Sequence, residues 1–242
     1  DDLKNIDWKV FAKFDRLVVK EFQEETNLKS YILLDCSMSM GYGSGEMTKF
    51  RYGQYIAASL AYFLVRQQDS VGLVTFDEQV REFIKPGSTP FHLQNIISVL
   101  ERNGPEGRTD LTGLFHKLAE AIKRRGLIII ISDCYDEQES VKKALNHFLH
   151  KKHEVILYHL FDPRELDFDF KGPLDLLDME TGERLEVIPE VIRDEYARNL
   201  GSFLNEYREM GREGNFDYVV VNTAHPFHEV LLAYLSRRRK IR

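Results

Sequence analysis

The sequence predicts an α/β fold with a mostly parallel central sheet and helices on both faces. Three observations carry this. Residues 31–34 and 126–131 are short apolar runs, each followed closely by a carboxylate, Asp35 or Asp133. Runs of that length and composition suit strands covered on both faces. They alternate along the chain with stretches whose apolar residues recur at helical spacing, the pattern of β–α units building a parallel sheet. Breaker clusters such as Gly104-Pro105-Glu106-Gly107 fall between these segments.

In chain order, residues 7–21 carry Trp8, Phe11, Phe14 and Leu17, and 16–22 read as an edge strand with Trp8 and Phe11 covering the domain. Residues 31–34 form the first core strand. The glycine-bearing loop 41–46 follows, and Thr48 is placed to cap a helix running to about Gln67. Ala57, Ala58 and Ala61 let that helix lie close to the sheet. Residues 71–76 read as a second buried strand, and 80–84 as a short strand antiparallel to it after a turn at Asp77 and Glu78. Residues 91–100 read as a helix with Leu93, Ile96, Ile97 and Leu100 on one face. Thr109 opens the next helix, whose apolar face is Leu111, Leu114, Phe115, Leu118 and Ile122. Residues 127–131 form the central strand, 140–150 a helix and 155–160 another strand. Within 162–189 the pattern changes: 174–179 and 184–188 flank Thr181-Gly182 as a β-hairpin inserted on the main fold. Residues 190–212 read as a charged helix turning Val191, Leu200, Phe203, Leu204 and Tyr207 inward. A last strand at 218–221 and a closing helix at 227–238 complete a single domain over 1–242.

With 242 residues the chain has the length of one large domain and can bury a substantial core. Its net charge of −6 argues against a broad nucleic-acid surface, which would have to neutralise phosphates. The basic run Arg237-Arg238-Arg239-Lys240 reads as a solvated helix end, where cations suit the helix dipole. No segment reaches the roughly 18 apolar residues of a membrane helix. Two cysteines make no disulfide framework, so a reducing cytoplasm is the expected compartment.

The candidate chemistry lies just after the first strand. Asp35, Ser37 and Ser39 offer a carboxylate and two hydroxyls on the loop beyond a strand's carboxyl end, where ligands of open α/β sheets bind. These are hard oxygen donors, suited to Mg²⁺ or Mn²⁺ rather than zinc or copper. Asp35, Ser37, Ser39, Thr109 and Asp133 resemble, in order and spacing, the metal-ion-dependent adhesion site of von Willebrand factor A domains. The segments IDWKVFAKFDRLVVKEFQEETN, EGRTDL, ISDCYDE and ETGERLEV resemble a bacterial family of von Willebrand factor A-like proteins known as DUF58. The likeness spans nearly the whole chain. The family usually has several dozen residues ahead of the IDW segment, so 1–29 is expected to be a truncated family segment.

The resemblance implies a von Willebrand factor A-like, Rossmann-like sheet in the order 3-2-1-4-5-6, which sets the strands ending at Asp35 and Asp133 side by side. It implies that Ser37 and Ser39 bind the ion directly, with Thr109 and Asp133 sharing direct and water-mediated roles. It further implies a carboxylate from a protein partner as the last ligand, with partner binding lost in Thr109→Ala. It also implies association with a MoxR-type AAA+ ATPase, for which this chain would be an adaptor or chaperone-like partner. The competing class is a Mg²⁺-dependent hydrolase using Asp35 and Asp133. Phosphatases that place an aspartate beside Mg²⁺ use a second aspartate two residues on as general acid. Ser37 holds that position here and cannot serve at neutral pH. The glycines of 41–46 match neither phosphate-loop motif, there is no G-x-S-x-G elbow, and the eight histidines form no zinc pattern. His147, His150 and His153 are read as surface residues, and Cys36 and Cys134 as small buried hydrophobes. The expected function is therefore a non-enzymatic, Mg²⁺-dependent protein-binding module of the cytoplasm.

Overall fold

The computed structural model describes residues 29–108, 111–178 and 182–239. In chain order the elements are β1 (Lys29–Asp35), α1 (Lys49–Arg66), β2 (Ser70–Phe76), β3 (Val80–Gly87), α2 (Pro90–Arg102), α3 (Leu111–Ala121), β4 (Leu127–Ser132), α4 (Gln138–His150) and β5 (Glu154–Phe161). There follow a short α5 (Pro163–Asp167), β6 (Leu174–Leu177), β7 (Arg184–Val187), a long α6 (Pro189–Gly214), β8 (Asp217–Asn222) and α7 (Phe227–Arg239). The main sheet has six strands in the order β3-β2-β1-β4-β5-β8, the order that the family resemblance implies. Every pairing is parallel except β2 with β3.

Successive strand residues point to opposite faces, and each face is covered. Ile32, Leu34, Ile129, Ile131, Tyr158 and Leu160 pack with apolar residues of α1, α2 and α7. Leu33, Val74, Ile128, Ile130 and Leu157 pack with α3, α4 and Tyr207 and Met210 of α6. A fully buried leucine or isoleucine at such a site contributes about 1.5–3 kcal/mol. The close approach of α1 to the sheet falls at Gly53. A Cβ at Gly53 would stand 3.0 Å from Leu34 Cδ1 and 3.2 Å from Ile131 Cγ2. The Thr48 side chain caps α1 by accepting from Arg51 N at 3.1 Å.

Four expectations change. Val191 does not face inward: it is 75 % exposed, because Pro189 starts α6 ahead of the point where the helix meets the sheet. Ile97 turns to solvent while its neighbour Ile96 is buried. His153 is buried, not a surface residue, since it closes the α4–β5 turn and its Nδ1 accepts from Gly126 N at 3.2 Å. A short helix, α5, opens the insertion. Asp162 caps it, Glu165 closes the capping box by accepting from Asp162 N, and Pro163 sits in its first turn. The hairpin itself forms, from β6 and β7. Trp8, Phe11 and the expected strand at 16–22 lie outside the described residues.

Candidate functional site

The site sits at the carboxyl ends of β1 and β4, adjacent strands at the middle of the sheet. Asp35 is the last residue of β1 and is fully buried. Ser132 Oγ donates to its Oδ2 at 2.5 Å, and the Ser37 amide donates to its Oδ1 at 2.9 Å. A short 3-10 turn over Met38–Gly41 then folds the loop back. Ser37 Oγ and Ser39 Oγ come within 3.1 Å, and Ser39 Oγ donates to Asp133 Oδ1 at 3.2 Å. Asp35, Ser37, Ser39 and Asp133 thus share one buried hydrogen-bonded cluster.

A third loop borders it. Glu106 N donates to Cys36 O at 2.8 Å, and Met38 N donates to Gly107 O at 3.0 Å. Gly107 can take part because it adopts φ +70. These bonds bring the chain to the edge of the site two residues before Thr109, which itself lies outside the described residues. On the far side of Thr109, Leu111 N at the start of α3 donates to Asp136 Oδ2 at 3.1 Å. Asp136 therefore ties α3 to the loop after β4, a link not anticipated from the sequence.

The residue most clearly missed is Lys49. It opens α1, is 2 % exposed, and its Nζ lies 2.8 Å from Asp133 Oδ2 and 2.7 Å from Glu165 Oε1. Burial alone would lower its pKa, but the two carboxylates outweigh burial and hold the ammonium above its ordinary value. Glu165 is raised by burial, with Lys49 partly offsetting it. Asp35 is pushed up to about 7, first by burial and then by the neighbouring Asp133. Behind the site, His159 Nε2 lies 2.8 Å from the Asp133 carbonyl, and Tyr218 OH lies 2.9 Å from Nδ1. Burial drops His159 to about 4, so it is a neutral ring that positions the Asp133 backbone.

Charge and donors together test whether a cation fits. Asp35 and Asp133 bring two carboxyl groups and Ser37 and Ser39 two hydroxyls, all hard oxygen donors, while the Lys49 ammonium already pairs with Asp133 and Glu165. Asp133 Oδ2 is buried against the Lys49 ammonium, 2.8 Å away. Among the described residues no three His, Cys, Asp or Glu side chains gather into a metal cage. Any ion here must rely on the serine hydroxyls. Cys36 and Cys134 are both free and buried, and they pack on opposite faces of the sheet, as members of separate core clusters.

Comparison with known proteins follows the same lines. The family described as protein of unknown function DUF58 matches residues 1–202. An uncharacterized protein of Mycobacterium tuberculosis and one of Mycobacterium bovis are each 23% identical over 202 residues, 82% of this chain. The chain spans 63% of the length of these relatives. Among solved structures, the conserved hypothetical protein BatB from Bacteroides thetaiotaomicron superposes with TM-score 0.58 at 14% identity. An aerotolerance-related membrane protein from Bacteroides fragilis superposes with TM-score 0.61 at 15% identity. Each alignment covers 88% of this chain and 99% of the other. At such identities the likeness establishes the fold alone, an α/β arrangement with a mostly parallel six-stranded sheet flanked by helices. Among the described residues no helix is long and apolar enough to cross a membrane.

Proposed function

The chain belongs to the DUF58 family, and from that membership and the site we propose that it is a non-enzymatic, Mg²⁺-dependent protein-binding module. The observation that carries the reading is the convergence of hard oxygen donors: the buried carboxylates of Asp35 and Asp133 and the hydroxyls of Ser37 and Ser39 meet in one hydrogen-bonded cluster. Asp35, Ser37, Ser39, Asp133 and Thr109 would hold Mg²⁺ or Mn²⁺. When bound, the ion supplies a positive centre able to take a carboxylate from outside. The chain's own residues do the rest. Ser132 and the Ser37 amide orient Asp35, and His159 fixes the Asp133 backbone.

On the family resemblance we assign the partner to a MoxR-type AAA+ ATPase or its client, with this chain as adaptor. On this reading the domain works in the cytoplasm. Against turnover stands Ser37, a hydroxyl where the competing phosphatase class needs an acid.

Calorimetry on chelator-stripped protein tests the site. Wild type is expected to bind one Mg²⁺, and Ser37→Ala with Ser39→Ala to abolish the signal while the far-ultraviolet spectrum stays unchanged. Equal binding by the double variant would sink the assignment. Phosphate ester or peptide turnover that vanishes in Asp35→Asn would replace it with the hydrolase.

A further inference from the structure

Beside the candidate metal site lies a groove that the metal alone does not explain. A cavity of about 320 Å³ reaches from Ser39 and Tyr42 to the inserted hairpin, where Leu176 and Leu177 form its far wall. Phe168 and Phe170 supply an aromatic floor, their rings 5.3 Å apart, with Phe168 stacked on Tyr196 at 4.2 Å. The Arg164 guanidinium lies over Phe170, 5.1 Å from the ring centre. Phe168 holds a left-handed backbone at φ 47, a conformation that costs a non-glycine residue energy and here turns its ring into this stack.

The hairpin adds little to the core of the domain. Leu177 is 53 % exposed, Leu185 62 % and Ile188 54 %. Leu176 and Leu185 are cross-strand partners, and exposed apolar residues of this kind suit an interaction surface. Among the described residues β6 pairs only with β7, so its outer edge offers free backbone groups to an added strand.

We propose that this groove receives an extended segment of a partner protein, whose carboxylate side chain meets the cation and whose neighbouring aromatic or large aliphatic side chain fills the cavity beside Phe168 and Leu177. Charge decides the orientation. The positive groups, the ion and Arg164, sit with Ser39 and the aromatic floor, and Glu165 on the same wall is already matched by Lys49. Asp178 on the hairpin wall opposes a second carboxylate. The apolar side chain gives affinity by burial, and the backbone edge of β6 favours an extended partner over a helical one. This inference rests on the metal-dependent reading above, and it adds a requirement that the reading lacks.

A phage library of random decapeptides, selected on the immobilised full chain in Mg²⁺ and in parallel in EDTA, supplies the probe. Peptides enriched only in Mg²⁺ should carry Asp or Glu within two positions of an aromatic or large aliphatic residue. For one such peptide, made synthetically, the exposed-residue variant Leu176→Ser with Leu177→Ser should weaken binding at least about tenfold, which is about 1.4 kcal/mol. Calorimetric Mg²⁺ binding by that variant should equal wild type. Acidic peptides with no apolar preference, bound equally by the hairpin variant, overturn the groove and leave the metal reading standing. Peptides enriched equally in EDTA overturn both. No enrichment overturns the groove, and the calorimetry then judges the metal site separately. A Mg²⁺-dependent dimer dissolved by the hairpin variant would make a second copy of this chain the occupant and refute the partner peptide.

Discussion

Lys49 bridges Asp133 and Glu165 with almost no access to water, and the energy of such a pair is best seen by breaking it. Lys49→Met leaves the buried Asp133 and the half-buried Glu165 without their ammonium, which should cost up to roughly 3–5 kcal/mol in chelator. Urea unfolding with EDTA measures this. Saturating Mg²⁺ should restore part of the loss if the ion and the ammonium share the same carboxylates. A lysine in this role was not legible, because long cationic side chains normally reach solvent. One signal was present. A cation in a helix's first turn opposes the dipole, and α1 has no acidic residue there to compensate. Two histidines carry a second residue-scale consequence. Burial holds His153 below the ordinary imidazole value and drops His159 to about 4. The fold accepts the neutral rings, and the unfolded chain takes up protons first. The histidine contribution to stability should therefore be full above pH ~6.5 and be lost as pH drops below it, while Asp35, raised to about 7, and Glu165, also raised, contribute in the opposite direction. Urea midpoints of wild type and a histidine variant, compared down to pH ~4.5, separate the histidine part of the slope. His153→Gln, which keeps an acceptor for Gly126 N, should flatten part of it.

Among the elements, the core strands β1, β2, β4 and β5 were legible because each is a largely apolar run, and the helices because their apolar residues recur every three or four positions. Element α5 was not. Five residues are too few to show a period. Its sign was chemical: Asp162-Pro163-Arg164-Glu165 has the N-cap, the first-turn proline and the returning carboxylate of a capping box. Asp162 also accepts from Ser44 N at 2.8 Å, so the same side chain pins the glycine-bearing loop to the insertion. Asp162→Ala should cost about 1 kcal/mol through the cap. It should also free the Ser44 amide, which hydrogen exchange would show as faster deuteration of loop 41–46 with α1 unchanged. If that loop exchanges as in wild type, it is held by something other than Asp162. The inward face of α6 was legible at Tyr207 but not at Val191, because periodicity places residues on a face without saying where along the helix the neighbouring layer begins.

At the scale of the molecule, the alternation of strands and helices gave the fold class, while the strand order came from family resemblance. Nothing in a local pattern says that β1 and β4 are neighbours, so the convergence of Asp35 and Asp133 was legible only through the resemblance. That neighbourhood has a consequence for time rather than for binding. Ser39 reaches Asp133 across 94 residues of sequence, and Ser132 reaches Asp35 across 97. Contacts that far apart along the chain close late, after the loop-closure entropy has been met. An ion that recognises only the closed arrangement has nothing to hold in the folding transition state. Magnesium should therefore leave the refolding arm of a chevron in place and lower the unfolding arm, lengthening the lifetime of the native domain without hastening its formation.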